Sequence, residues 1–153
     1  MYTRRLTDWI IHICLFIIAA GVLTSAYWLL YPYDVVTFYK QEFKLNKSQY
    51  YPGEGISWDV DVYHHTSGVK VDLNRQLVNS VIINYSPSGY VTQEGRQTFT
   101  NASLDIPQFA PPGMYRLVIY SIFHVNPLRT VTITRTSDMF EVLSSPKDTP
   151  RWK

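Results

Sequence analysis

The chain has 153 residues, a length typical of about one domain. Hydrophobic residues make up 46% of it, which excludes a disordered tail protein because there is ample apolar material for a core. The single cysteine cannot pair within the chain, so a disulfide-stapled scaffold is excluded as well. A formal net charge of +2 argues against a highly basic nucleic-acid binder, and we expect no nucleic-acid partner.

The first predicted element is a transmembrane helix over residues 9–31. As a helix this run would be about 34 Å long, enough to cross a hydrocarbon core of about 30 Å. His12, Cys14 and tyrosines are its only ionisable side chains. Trp9 begins the run and Trp28 lies near its end, as is typical of aromatic rings at the two membrane interfaces.

The charges beside this run predict its orientation. Arg4 and Arg5 precede it, whereas Lys40 is the first positive charge after it. Because cytoplasmic flanks carry the excess of Lys and Arg, residues 1–8 are expected in the cytoplasm. The lipid bilayer is therefore an expected partner, and the part of the chain from residue 32 onward is expected to be periplasmic or extracellular.

Two alternatives to an uncleaved anchor remain. A signal peptide could be cleaved near Ala26, although the apolar run continues through residues 27–30, which a removable signal does not need. A buried helix of a soluble protein is disfavoured because apolar residues occupy every face.

Beyond a membrane-proximal linker and first strand over residues 32–46, apolar and polar residues alternate with a period of two. This alternation is typical of half-buried strands. The predicted strands cover residues 56–63, 69–73, 81–85, 115–123, 131–135 and 139–143. About seven short strands separated by turn signals predict an all-β protein, an antiparallel β-sandwich over residues 47–143, followed by a flexible tail over residues 144–153.

Two segments resemble those of immunoglobulin-like domains. The turn at Pro52 and Gly53 leads into the strand that carries Trp58. Gly113 precedes Tyr115 at the start of the longest strand, which resembles the tyrosine corner of that fold.

The resemblance implies that Tyr115 hydrogen-bonds back to the preceding loop. Leu117 stands where an antibody domain has its second cysteine, so packing against Trp58 or Val60 is expected to replace the disulfide. The resemblance implies an architecture and no activity.

No motif for catalysis, for a cofactor or for a metal is evident, and Cys14 lies inside the predicted span. We therefore expect no catalytic residue, no cofactor and no metal site. One alternative is an enzyme that uses Asp59, Asp61 and His64, since the two carboxylates share a strand face and could hold Ca²⁺ or flank a glycosidic bond. A three-histidine metal site of His64, His65 and His124 would need the first two to lie in a turn.

Aromatic residues are unusually abundant, with 12 Tyr and 7 Phe. A small sandwich cannot bury all of them, and exposed tyrosines suit contacts between proteins. The predicted interaction surface consists of Tyr33, Tyr39, Tyr50, Tyr51 and Tyr90.

These observations favour a single-pass, signal-anchored protein of the cell envelope whose immunoglobulin-like domain binds another protein, or a second copy, or builds an assembly. An exported part without cysteine fits a bacterial periplasm, a phage-encoded protein or a virion membrane component. A third interpretation is an accessory subunit of a multi-helix membrane complex, with residues 21–25 facing a neighbouring helix.

Overall fold

The structure is a computed structural model that describes residues 2–30, 34–40 and 42–144, with side chains from residue 9 onward. Tyr31, Tyr33 and the predicted tail from residue 145 lie outside the described residues.

One helix, α1 (Tyr2–Leu30), opens the chain. Its stretch Trp9–Leu30 has 22 residues and a mean hydropathy of 2.2, and none of it is buried against the rest of the chain. By length and composition this helix is able to cross a membrane. The core helix of a soluble domain would instead be covered by its own protein.

Strands make up most of the remaining described chain, and their bounds position every later feature. They are β1 (Val36–Phe38), β2 (Gln49–Tyr50), β3 (Gly55–His64), β4 (Lys70–Val78), β5 (Ile82–Asn84), β6 (Ser88–Val91), β7 (Gly95–Asp105), β8 (Gly113–Asn126), β9 (Arg129–Thr136) and β10 (Phe140–Val142).

The strands form two sheets of unequal width. The narrow sheet has the order β1-β3-β7 and is antiparallel throughout. The wide sheet has the order β2-β10-β8-β4-β5, with β6 beside β5 along β4 and β9 beside β10 along β8. Within the described residues, one pairing in this sheet is parallel, and it joins β2 to β10.

This arrangement is an immunoglobulin-like sandwich, which confirms the predicted fold class. Strands β1, β3 and β7 take the places of strands A, B and E, while β4, β8 and β9 take those of C, F and G. The fold commonly has a fourth strand, D, beside E. Here the described chain passes from β6 to β7 through residues 92–94 alone, so no strand stands at that place and one edge of β7 is unpaired.

Three of these strands are not predicted from the sequence. They are the short β2 and β6 and the 11-residue β7. In addition, β4 runs on to Val78, beyond the predicted end at residue 73. Strand β7 is not predicted because most of its side chains are exposed, so its sequence is polar and lacks the apolar alternation of a half-buried strand.

The interior is split into two apolar clusters. The larger contains Trp58, Leu117 and Tyr115, with Val60 packed against it, so Leu117 and both candidate partners on β3 are packed apolar side chains. The smaller contains Val71 and Phe123 at the other end of the sandwich.

The β8–β9 turn contacts the end of α1. The Asn126 side-chain amide donates a hydrogen bond to the Trp28 carbonyl, and Arg129 Nη1 donates one to the Leu29 carbonyl at 3.4 Å. The last carbonyls of a helix have no partner within it, so the turn supplies donors that α1 lacks.

The predicted corner hydrogen bond is present. The buried Tyr115 hydroxyl donates to the Pro111 carbonyl at 2.8 Å. Gly113, two residues earlier, has φ of 152°, a backbone conformation that favours glycine at this entry into β8.

Replacing Tyr115 by Phe removes this hydrogen bond and leaves the Pro111 carbonyl without its donor. We expect the free energy of unfolding to fall by about 0.5–1.5 kcal/mol, measured by urea unfolding of the full chain in detergent micelles with far-UV circular dichroism. Tyr51→Phe is the control, because the Tyr51 ring is about half exposed. Equal losses in both variants would contradict a corner that stabilises the fold.

Candidate functional site

The inner faces of the two sheets do not meet along their middle. A groove of about 1040 Å³ lies between them, lined mostly by apolar side chains. Val60 and Val62 of β3 and Phe99 of β7 form one wall, and Leu73 of β4 and Ile119 of β8 form the other. Three strands are too few to cover the wide sheet, so this apolar surface stays open.

The groove opens between β6 and the unpaired edge of β7. Tyr90 lines it on the β6 side, and Phe99 lines it on the β7 side with 50% of its surface exposed. The Tyr85 hydroxyl donates to the Asp105 carbonyl at 2.9 Å, which ties the edges together at one end, and residues 92–94 connect them at the other. The opening is therefore a slot that runs along a strand.

Two arginines lie on the floor of the groove. Arg75 pairs with Ile119 between β4 and β8, and Ile119 pairs with Arg135 between β8 and β9. Opposed residues of neighbouring strands point to the same face, so the three side chains form one row across the wide sheet. Arg75 and Arg135 are the only charged side chains among the described residues that line the groove.

Arg135 is held by its surroundings. Its guanidinium lies over the Phe38 and Phe43 rings, at 4.6 and 5.1 Å from their centroids, and donates to the Lys40 carbonyl at 3.1 Å. Burial lowers the pKa of this guanidinium, yet arginine stays protonated in proteins.

Arg75 is less completely satisfied. Its Nη2 donates to the Ser88 hydroxyl, whereas its Nε is buried without a hydrogen-bond partner in the described part of the chain.

Neither arginine is predicted as a site residue from the sequence, although the sequence contains a signal for both. Arg75 stands two residues after Leu73, which itself follows Val71 by two, so it occupies a position where the alternation predicts an inward apolar residue. Arg135 stands in the same relation to Ile133. A basic residue at an inward position of a strand is therefore the pattern that would have found both.

Asp59, Asp61 and His64 do not form one site. Asp61 accepts two hydrogen bonds from Arg96, at 2.9 and 2.6 Å, and these contacts hold the pKa of its carboxyl below the usual value. The Asp59 carboxylate accepts a hydrogen bond from the main-chain N–H of Asn101, and its second oxygen lies 3.8 Å from Lys40 Nζ. Alternation along β3 places His64 on the opposite face, so the alternative that groups these three residues in one site is wrong.

The three histidines are also apart in their contacts. His65 Nε2 lies 2.8 Å from the Thr37 hydroxyl, and His124 Nε2 lies 2.7 Å from an Asp72 carboxylate oxygen. His64 is 1% exposed, and in the described chain neither of its ring nitrogens has a hydrogen-bond partner. No group of three His, Cys, Asp or Glu residues that could hold a metal occurs within the described residues.

The predicted tyrosines fall in different places. Tyr39 and Tyr51 are exposed, and Tyr39 lies under Arg96 on the outer face of the narrow sheet. Tyr90 lines the groove. The expectation for Tyr50 is wrong: it is 1% exposed because its ring packs edge-on against Phe140, 5.4 Å between centroids. Tyr33 lies outside the described residues.

His64 gives a prediction for pH. Burial lowers its pKa from the ordinary value near 6.5, so the folded protein keeps the ring neutral while the unfolded chain protonates it readily. His64 therefore does not reduce the free energy of unfolding above about pH 6.5, and it reduces that free energy as the pH drops below this value. We expect His64→Phe to weaken this loss between pH 7.5 and 5.5 and to keep or raise stability at pH 7.5, because apolar replacement removes two unsatisfied polar atoms.

The measurement is urea unfolding at both pH values, with the exposed His65→Gln as the control. If the His64→Phe protein loses stability with pH as the parent does, the buried His64 is not the source of the pH dependence.

No protein-family model and no curated protein matches the sequence. Among solved structures, the chain is similar to the alkylpurine DNA glycosylase AlkC of Pseudomonas fluorescens bound to DNA, with 14% identity, a TM-score of 0.44, and coverage of 73% of this chain and 31% of that one. It is also similar to the sporulation control protein Spo0M of Bacillus subtilis, with 14% identity, a TM-score of 0.36, and coverage of 72% and 49%.

A third likeness is to a CARDB domain of Pyrococcus furiosus in complex with di-metal ions, with 9% identity, a TM-score of 0.40, and coverage of 73% and 90%. The chain thus spans about a third and about half of the length of the first two proteins. With TM-scores below 0.5, these likenesses carry no conclusion about the function of this chain.

Proposed function

We propose that this protein is a membrane-anchored interaction domain of the cell envelope that binds an extended polypeptide segment as an added strand on β7. In this proposal α1 is an uncleaved signal anchor, with the N-terminus in the cytoplasm and the sandwich in the periplasm or outside the cell. The setting is a bacterial envelope or a phage-encoded membrane component.

The observation that carries the proposal is the unpaired edge of β7 beside an open apolar groove. A strand added at such an edge gains affinity from main-chain hydrogen bonds and specificity from pockets for alternate side chains. Here every second side chain of an added strand would face the groove, because side chains alternate along a strand. The added segment would take the place of the missing strand D.

The composition of the edge also supports binding. Exposed edge strands are normally protected by charges, by proline or by a covering element. Residues 97–104 of β7 contain no charged residue and no proline. A bulge interrupts the pairing with β3 between Trp58 and Val60, and Asn101 opposite it has φ of 56°, which bends the edge without closing it.

The orientation is tested by labelling with a membrane-impermeant maleimide in intact spheroplasts. In a Cys14→Ser background, we expect Ser67→Cys in an exposed turn to react without permeabilisation, and Thr3→Cys to react only after it. The opposite labelling pattern, or a mature chain that begins after Ala26, would contradict the anchor.

Strand addition is tested with the full chain in lipid nanodiscs. We expect binders from a displayed library of twelve-residue peptides that have Thr at every second position and random residues between. Methylating the backbone nitrogens of a selected peptide at alternate residues should weaken binding about tenfold or more for one alternating set and little for the other, because only one set faces β7.

A matched pair of variants locates the site. Phe99→Ser should weaken peptide binding about tenfold by removing an apolar side chain from the groove. Phe109→Ser changes a phenylalanine that is 77% exposed and does not line the groove, and it should leave binding unchanged. No enrichment over nanodiscs without protein, or equal effects of both variants, would refute the proposed function.

A further inference from the structure

The charge of the groove is unbalanced. Arg75 and Arg135 contribute two positive charges to its lining, and no carboxylate lies among the described lining residues. On the outer face of the same sandwich, acids and bases are paired, as in Arg96 with Asp61. The groove therefore carries positive charge in an apolar setting, where attraction between charges is stronger than in water.

The two arginines differ in what they can still bind. Arg135 is committed to two aromatic rings and to main-chain carbonyls. Arg75 lines the groove and makes one side-chain hydrogen bond in the described residues, from Nη2 to Ser88. Its Nε is closed off from solvent, so a ligand carboxylate would bind at the terminal Nη1 and Nη2 nitrogens. A planar guanidinium is well suited to a carboxylate, which accepts two parallel hydrogen bonds from it.

The rim of the groove favours a polypeptide over a lipid chain. Polar residues line the groove beside the unpaired edge of β7: Gln93, Gln97, Thr98 and Thr100. A polypeptide main chain offers donors and acceptors to these groups, whereas an acyl chain would cover them without hydrogen bonds.

We propose that the bound strand carries an acidic side chain at one inward position, where its carboxylate pairs with Arg75 while apolar side chains fill the groove on either side. This inference rests on the proposed function of the groove and specifies its partner: an extended segment in which Asp or Glu stands among apolar residues at alternate positions.

The test selects the same alternating peptide library in parallel on the parent protein, Arg75→Met, Arg75→Lys and Arg116→Met, each as the full chain in nanodiscs. On the parent, we expect Asp and Glu to be enriched about tenfold over Asn and Gln at one inward position. Arg75→Met should abolish this preference. Arg75→Lys keeps the charge and should retain part of it, which separates charge recognition from a folding defect.

Arg116→Met is the matched control, because Arg116 is an exposed arginine next to the inward Leu117 on β8, and the acidic preference should persist in it. Peptides that bind the parent without an acidic preference, or a preference unchanged in Arg75→Met, would refute this inference and leave strand binding intact. Failure to enrich any peptide, together with Arg75-dependent binding of oleate, would identify a lipid amphiphile site and refute both proposals.

Discussion

Two sheets of unequal width cannot bury each other's inner faces, and most of the structure follows from this constraint. The chain goes from β6 to β7 through residues 92–94 and has no room there for another strand. The narrow sheet therefore ends at β7, and the two apolar clusters stay separate. Phe99 points to the inner side of the sandwich, yet half of its surface is exposed to solvent. Exposed apolar surface of this kind is costly in a monomer and usually marks a site of contact.

The sequence predicts those elements whose burial forces a regular pattern. Strands β3 and β8 alternate clearly because one face of each lies in the core, and the corner at Tyr115 has a recognisable approach. Strand β7 escapes because its inner side is largely uncovered, so no apolar alternation is required of it. Tyr50 and Tyr51 look equivalent in the sequence, and only the pairing of β2 with β10 determines which of them is buried. The site depends on these same long-range pairings, which a single sequence does not contain.

Ionic groups are distributed unevenly between the two faces of the sandwich. Asp61 on the outer face is buried, and its carboxylate is satisfied by two hydrogen bonds from Arg96, so this charge has its counter-charge in place. Arg75 and Arg135 instead lie among apolar side chains, where removing a charge from water is expensive unless a counter-charge arrives. His64 adds two more unsatisfied polar atoms at the end of the same strand that forms the groove wall. Buried polar atoms without hydrogen-bond partners are rare in folded proteins, and their concentration on the inner side of a small domain favours a binding site there.

The contact between the β8–β9 turn and the last residues of α1 has a consequence for the range of the domain. Hydrogen bonds from Asn126 and Arg129 to the end of the helix leave little slack between the sandwich and the proposed bilayer surface. In the proposed arrangement, a domain this close to lipid would search a thin layer rather than a volume, which would raise the local concentration of any ligand on the same membrane. Under this proposal, ligands displayed far above the surface would stay beyond its reach, so distance from the membrane would limit which partners can bind.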